Sequence, residues 1–307
     1  MAIPNLHCIA PVVFNATVLG GITRQSINLG NMVNSVPTAG AVTSRFVALY
    51  KQAPTASFQT LNIGGALDLC GYQGTSIAGL AAGLIMYAMK KAEGGTRTSG
   101  SAHRKYVFRE GLVIPRTLTM NNGEDATLDY DVIATYDGSN VPVLETDSVA
   151  LPTAPDDALR WTLNSATIGA EALTGITGIT IDFGLGVNVA SSDGDLYPTF
   201  CCIDTQAPKI MVRGVDTLWL ASGVIPKLGL VATQANTSIF LKKRTDGGTF
   251  VADGTAEHIL INAAGMVVVQ NAFDGSGNEN ATCDIEFTVN DDGTNAALLI
   301  DTTAAIA

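Results

Sequence analysis

The chain has 307 residues, 47% of them hydrophobic and 15% charged, with 17 Lys and Arg against 28 Asp and Glu. That hydrophobic content excludes global disorder, and the length exceeds what one ordinary core fills. A formal charge of −11 argues against a protein that coats nucleic acid or docks on an anionic membrane, because phosphate repels a net anion.

Many Thr, Val, Ala and Gly residues lean towards β structure with frequent turns. The N-terminus, Met1-Ala2-Ile3-Pro4-Asn5, lacks the charged and apolar regions of a signal peptide. Strands are expected at 17–29, 42–51 and 57–63, then a short helix near 65–72. The uncharged stretch Leu69 to Met89 is a poor membrane span, being interrupted by Gly71, Gly74, Gly79 and Gly83. Further strands are expected at 84–91, 103–109 and 112–120. Over 127–136, Leu128, Tyr130, Val132, Ala134 and Tyr136 alternate with polar residues, as in a half-buried antiparallel strand. Asp137-Gly138-Ser139-Asn140 closes that strand with turn chemistry. Leu151-Pro-Thr-Ala-Pro155 reads as a linker.

Beyond the linker the pattern recurs. Shifted by 154, residues 19–54 lie over 173–208 with 13 identities in 36 positions, including Gly30/Gly184, Phe46/Phe200 and Gln52-Ala53-Pro54/Gln206-Ala207-Pro208. Chance gives about two or three for such a composition. The alternating strand returns at 282–290, and a second helix is expected near 216–224, capped by Asp216-Thr217 and stopped before Pro226. The expected fold is therefore mainly β. Two tandem homologous β-sandwich domains, 1–153 and 154–307, each carry one short flanking helix.

Catalytic chemistry has little footing. His103 and His258 occupy one repeated position and read as strand-end histidines, and no nucleophile, zinc or phosphate-loop motif occurs. Cys8, Cys70, Cys201, Cys202 and Cys283 have no metal or disulfide spacing and suit buried positions in a reducing compartment. The turns Asp193-Gly194-Asp195 and Asp291-Asp292-Gly293 complete no calcium loop. No catalytic, cofactor or metal residues are expected.

Two carboxylate pairs recur: Asp129 and Asp131, and Asp284 and Glu286, at i, i+2 on the polar face of their strand. Such pairs can serve as general acid and base, as a solvated face, or as an acidic surface lining. Charge is otherwise unevenly shared. Residues 1–153 hold ten acids and ten Lys/Arg, and 154–307 hold eighteen and seven. The basic cluster Arg97, Arg104, Lys105, Arg109 and Arg116 belongs to the first half alone. Such unlike halves either face different partners or meet one another between subunits.

The run Gly111-Leu-Val-Ile-Pro115, then Asn122-Gly-Glu-Asp-Ala-Thr127, the alternating strand and Asp137-Gly138 resemble the tail-tube (major tail) proteins of long-tailed bacteriophages. Trp161-Thr-Leu, the strand Ile176 to Phe183 and the strand–helix–strand unit from Lys209 to Lys243 add to that resemblance. It implies a β-sandwich with a flanking helix per domain, six domains to a ring, and stacked rings that conduct DNA without binding it specifically. Some members fuse two domains, so that three chains form a pseudo-hexameric ring. The resemblance further implies a virion protein made in the host cytoplasm, with no cofactor and no catalytic residues, and with Asp129, Asp131, Asp284 and Glu286 as candidate lumen-lining acids. Other readings are a different duplicated β-sandwich virion protein (coat or capsid decoration) and a tandem carbohydrate-binding or adhesin module.

Overall fold

The computed structural model describes residues 6–37, 39–40, 42–44, 46–79, 83–92, 95–153, 159–169, 171–192, 194–215, 231–245, 247–275, 277, 281–291, 293 and 296–306, with the backbone alone at 6, 231–236 and 265–273. The chain is mainly β, with antiparallel sheets. Its first strands are β1 (Leu6–Phe14), β2 (Thr17–Leu19), β3 (Ile22–Asn28), β4 (Asn31–Val36), β5 (Phe46–Gln52) and β6 (Thr55–Thr60). Helix α1 (Ile63–Cys70) follows, then β7 (Thr75–Ala78), β8 (Leu84–Lys91), β9 (His103–Phe108), β10 (Glu110–Asn121), β11 (Thr127–Ala134) and β12 (Val143–Val149). Next come β13 (Arg160–Ile168), β14 (Glu171–Ala172), β15 (Ile176–Asp182), β16 (Leu185–Ala190), β17 (Phe200–Gln206) and β18 (Lys209–Gly214). The last are β19 (Val231–Arg244), β20 (His258–Asp274), β21 (Thr282–Thr288) and β22 (Leu298–Ala304).

Strand bounds recur along the chain. β1 and β3 to β6 return 154 residues later as β13 and β15 to β18, and β11 and β12 begin again 155 later as β21 and β22. Sheet order recurs too: β12-β9-β8-β1-β2 in the first half matches β22-β20-β19-β13-β14 in the second. The turns agree in detail. Gly30 and Gly184 both hold φ +60°, and a Cβ on either would collide with the carbonyl of Ala53 or Ala207. Each takes its N–H to a side-chain oxygen two residues back, Asn28 Oδ1 or Asp182 Oδ1, at 2.9 Å. Glycine is required there because the left-handed backbone and the close approach both exclude a side chain.

In the first half, Val12, Phe14, Leu84, Met86 and Phe108 of one sheet and Phe58, Leu128, Tyr130 and Val132 of the other share a buried core. α1 closes one end. Asn62 caps it by accepting from Gly65 N–H, and Tyr130 Oη donates within 3.2 Å of the Ala66 and Gly71 carbonyls. Burial among these groups pushes the Tyr130 hydroxyl well above its usual range and the Cys70 thiol up to about 12.

Several expectations shift. The run 17–29 is two strands, because Gly20-Gly21 turns the chain with Gly21 at φ +65°. The helix starts two residues early, at Ile63, where Asn62 supplies the cap. β1, β4, β7 and β12 were not expected as strands. The second helix near 216–224, its Asp216-Thr217 cap, Asp193 and Asp292 lie outside the described residues.

Candidate assembly interface

The four singled-out acids lie on the polar face of the sheet that runs through both halves. Each one meets a cation from a neighbouring strand of the sheet, distant in sequence for all but Asp131. Arg24 of β3 reaches Asp129 at 2.7 Å, and Arg116 of β10 reaches Asp131 at 2.7 Å. In the second half Arg213 reaches Asp284 at 3.0 Å and Lys209 reaches Glu286 at 3.1 Å, both from β18. These ion pairs are partly exposed, so each contributes at most about 1 kcal/mol. Their main effect is electrical. The face is a ladder of paired opposite charges, with a cation beside each of the four carboxylates.

The same sheet carries the joint between the halves. β10 pairs antiparallel with β15 in the register Thr117↔Asp182, Leu118↔Ile181, Thr119↔Thr180 and Met120↔Ile179. The strand order β3-β6-β11-β10-β15-β18-β21-β20 is thus one continuous sheet. Main-chain bonds extend the joint beyond the ladder, with Phe183 N–H donating to Arg116 O at 3.0 Å and Asn122 N–H to Thr177 O at 3.0 Å. Arg116 Nη1 also donates to Leu185 O at 2.9 Å. Ile179, Ile181, Phe183 and Leu185 are all buried here. Trp161 of β13 packs on α1 of the first half, where Gly64 leaves room for its ring: a Cβ at Gly64 would lie 2.8 Å from Trp161 Cζ2.

Hairpin β16–β17 reaches from the second half onto the first. Its tip strand-end accepts two main-chain bonds, Tyr136 N–H to Pro198 O at 2.7 Å and Gln52 N–H to Leu196 O at 2.8 Å. Tyr197 stacks on Tyr136 at 5.6 Å between ring centroids. Ile203 Cδ1 sits over Gly74, where no side chain would fit, and Cys201 touches the Thr135 hydroxyl.

The counterpart surface of the first half is open. β3 is the last strand of its sheet. Leu29 is 42% exposed where its counterpart Phe183 is wholly buried. A cavity of about 610 Å³ opens beside β3, lined by His7, Ile9, Ile27, Leu29 and Tyr106 among others. Hairpin β4–β5 repeats the register of β16–β17, bulge included: Val33↔Leu49 corresponds to Val187↔Ile203. Yet every described residue of β4 is exposed, and Val33, Val47 and Leu49 stand in water. Of this hairpin the sequence marks only one strand, 42–51, which the structure places as β5, and not β4. Its signal is an apolar population, Met32, Val33, Val36, Phe46, Val47, Leu49 and Tyr50, spread over both faces of a two-stranded arm.

The remaining candidates have structural roles. His103 and His258 are both buried, and each ring Nδ1 accepts a main-chain N–H, from Lys90 at 3.0 Å and from Lys243 at 3.1 Å. Among the described residues, no cluster of three His, Cys, Asp or Glu side chains could hold a metal, and no helix is long and apolar enough to cross a membrane. Compared with protein-family models and with curated protein sequences, the chain matches none.

Proposed function

We propose that this chain is a structural virion protein of the tail-tube kind found in long-tailed bacteriophages. It would carry two copies of one domain, 1–153 and 154–307. Three chains would then close a pseudo-hexameric ring, and rings would stack into a channel for DNA. The observation that carries this reading is the β10–β15 joint. It unites two halves of like strand order head to tail and leaves β3 at one end of the sheet; towards the other end, where the path runs on to β14, the stretch of β20 from Gln270 to Asp274 pairs with β21 alone among the described residues. A heterologous contact of this kind repeats until a ring closes or a filament runs on. Edge strands left open are association hazards, and closure removes them.

The polar face with Asp129, Asp131, Asp284 and Glu286 lines the channel in this reading. Its cations are occupied by carboxylates, so they offer DNA phosphate little uncompensated charge. Native mass spectrometry and cryo-microscopy of concentrated protein test the proposal together. Rings of three chains with near-sixfold appearance are expected. Six chains per ring, or a monomer at high concentration, would overturn it.

A further inference from the structure

We infer that hairpin β4–β5 is an arm for a second copy of this chain: in the ring it lies across the second half of the neighbouring subunit, on the end of β21. The inference rests on the ring reading above and adds to it a specific surface and occupant. Within one chain, hairpin β16–β17 shows how such an arm is seated. It bonds the backbone just past β11 through Pro198 O, and it presses Cys201 on Thr135 and Ile203 on Gly74. Hairpin β4–β5 has the same pairing register offset by 154 residues, and its large apolar side chains are 43% to 66% exposed.

The reason it lacks cover is topological. The half that would receive it precedes β3 round the ring, and the second half of this chain is already joined on the opposite side, through β10–β15. The missing surface therefore belongs to another subunit. Position by position, Val47 stands where Cys201 stands, and Ser44 where Pro198 stands. The place of Thr135 and Tyr136, just past β11, is taken by Asn290 and Asp291, just past β21, both exposed. Val47 is accordingly expected against Asn290 of the neighbouring subunit, with Ser44 O accepting from the Asp291 N–H. Val47 is 66% exposed in the single chain, which leaves most of its side chain available for burial.

Paired cysteines test this directly. V47C/N290C is assembled, treated with a mild oxidant, and run on a denaturing gel without reductant, with V47C and N290C alone as controls for the native thiols. Thr135→Cys, opposite native Cys201, serves as the within-chain control. Covalent species that stop at three chains, absent from both single variants, are the expected result. Three-chain rings by native mass spectrometry with no V47C/N290C link would overturn the arm and leave the ring standing. A ladder running past three chains would place the arm on a stacked ring and also overturn it. Absence of rings altogether would overturn the ring reading, and this inference with it.

Discussion

Hairpins β16–β17 and β4–β5 are one structure in two environments. They share their glycine turn, their register and their bulge. The first is partly covered because the other half of the chain lies beneath it, and Ile203 packs against the core there. The second is exposed, and its apolar side chains meet no comparable surface among the described residues. The same contrast holds for the strands that precede them, where Ile179 and Ile181 of β15 and Phe183 just past it are buried while Leu29, just past β3, is 42% exposed. Burial at these positions is thus set by neighbours and not by the local fold. A local pattern can specify a surface without specifying what covers it.

The sharpest way to break the comparison is to put a charge at the same strand position in each half. Ile181→Lys buries an ammonium without a partner in the β10–β15 joint and should destabilise the chain by roughly 4 kcal/mol. Ile27→Lys, at the half-buried counterpart, should leave the unfolding of the isolated chain nearly unchanged and abolish ring formation. Denaturant melts alongside native mass spectrometry separate the two. Equal destabilisation would show that the edges are not counterparts.

The hairpins give a smaller contrast. Ile203→Ser should cost about 1–3 kcal/mol through lost apolar contact, whereas Leu49→Ser should change the stability of the single chain by less than about 0.5 kcal/mol. If Leu49→Ser destabilised the isolated chain as much, hairpin β4–β5 would already be covered. A comparable effect, with an inverted sign, is expected at Gly64. Alanine in a helix normally gains about 1 kcal/mol over glycine. Here the added methyl meets Trp161, so Gly64→Ala should lose about 1–2 kcal/mol by overpacking. Trp161→Leu in the same background should restore part of the loss, as thermal melts would show.

The smallest effect concerns the turns that close the paired strands. Asp137 accepts from Asn140 Nδ2 and from the N–H groups of Asn140 and Ser139, and these hold its carboxyl below the ordinary aspartate range. A depressed carboxyl adds stability that is complete above the unfolded value, near pH 4, and is lost as pH falls through the folded value. A carbon-detected NMR titration should place the midpoint of Asp137 below that of exposed aspartates. An ordinary midpoint would mean that the turn is not held as described.

Some of this was legible in the residues alone. β8 matches the expected strand 84–91, and β11 follows the alternation read over 127–136, with Leu128, Tyr130, Val132 and Ala134 all buried. Those signals are local. The cations on the acid face were hidden because Arg24 meets Asp129 across 105 residues of sequence. β4 was missed because Asn-Met-Val-Asn-Ser-Val is exposed on both faces and so has no alternation to display. The β10–β15 joint was unreadable for a related reason. Its apolar residues, Leu118 and Ile181, look like those of any core strand, and only the pairing shows that they bridge two halves.

That joint lies within a single polypeptide, which alters the kinetics of assembly. Two halves on one chain meet at an effective concentration of order millimolar, far above that of free subunits in a cell. The β10–β15 contact therefore forms as part of folding, at a rate independent of protein concentration. Alternate contacts round the ring would arrive already made, and only the remainder would wait on collision. A closed ring then needs two successive encounters between chains where six separate domains would need five. Partial rings would be correspondingly fewer, and each bare β3 edge would spend less time open to the wrong partner.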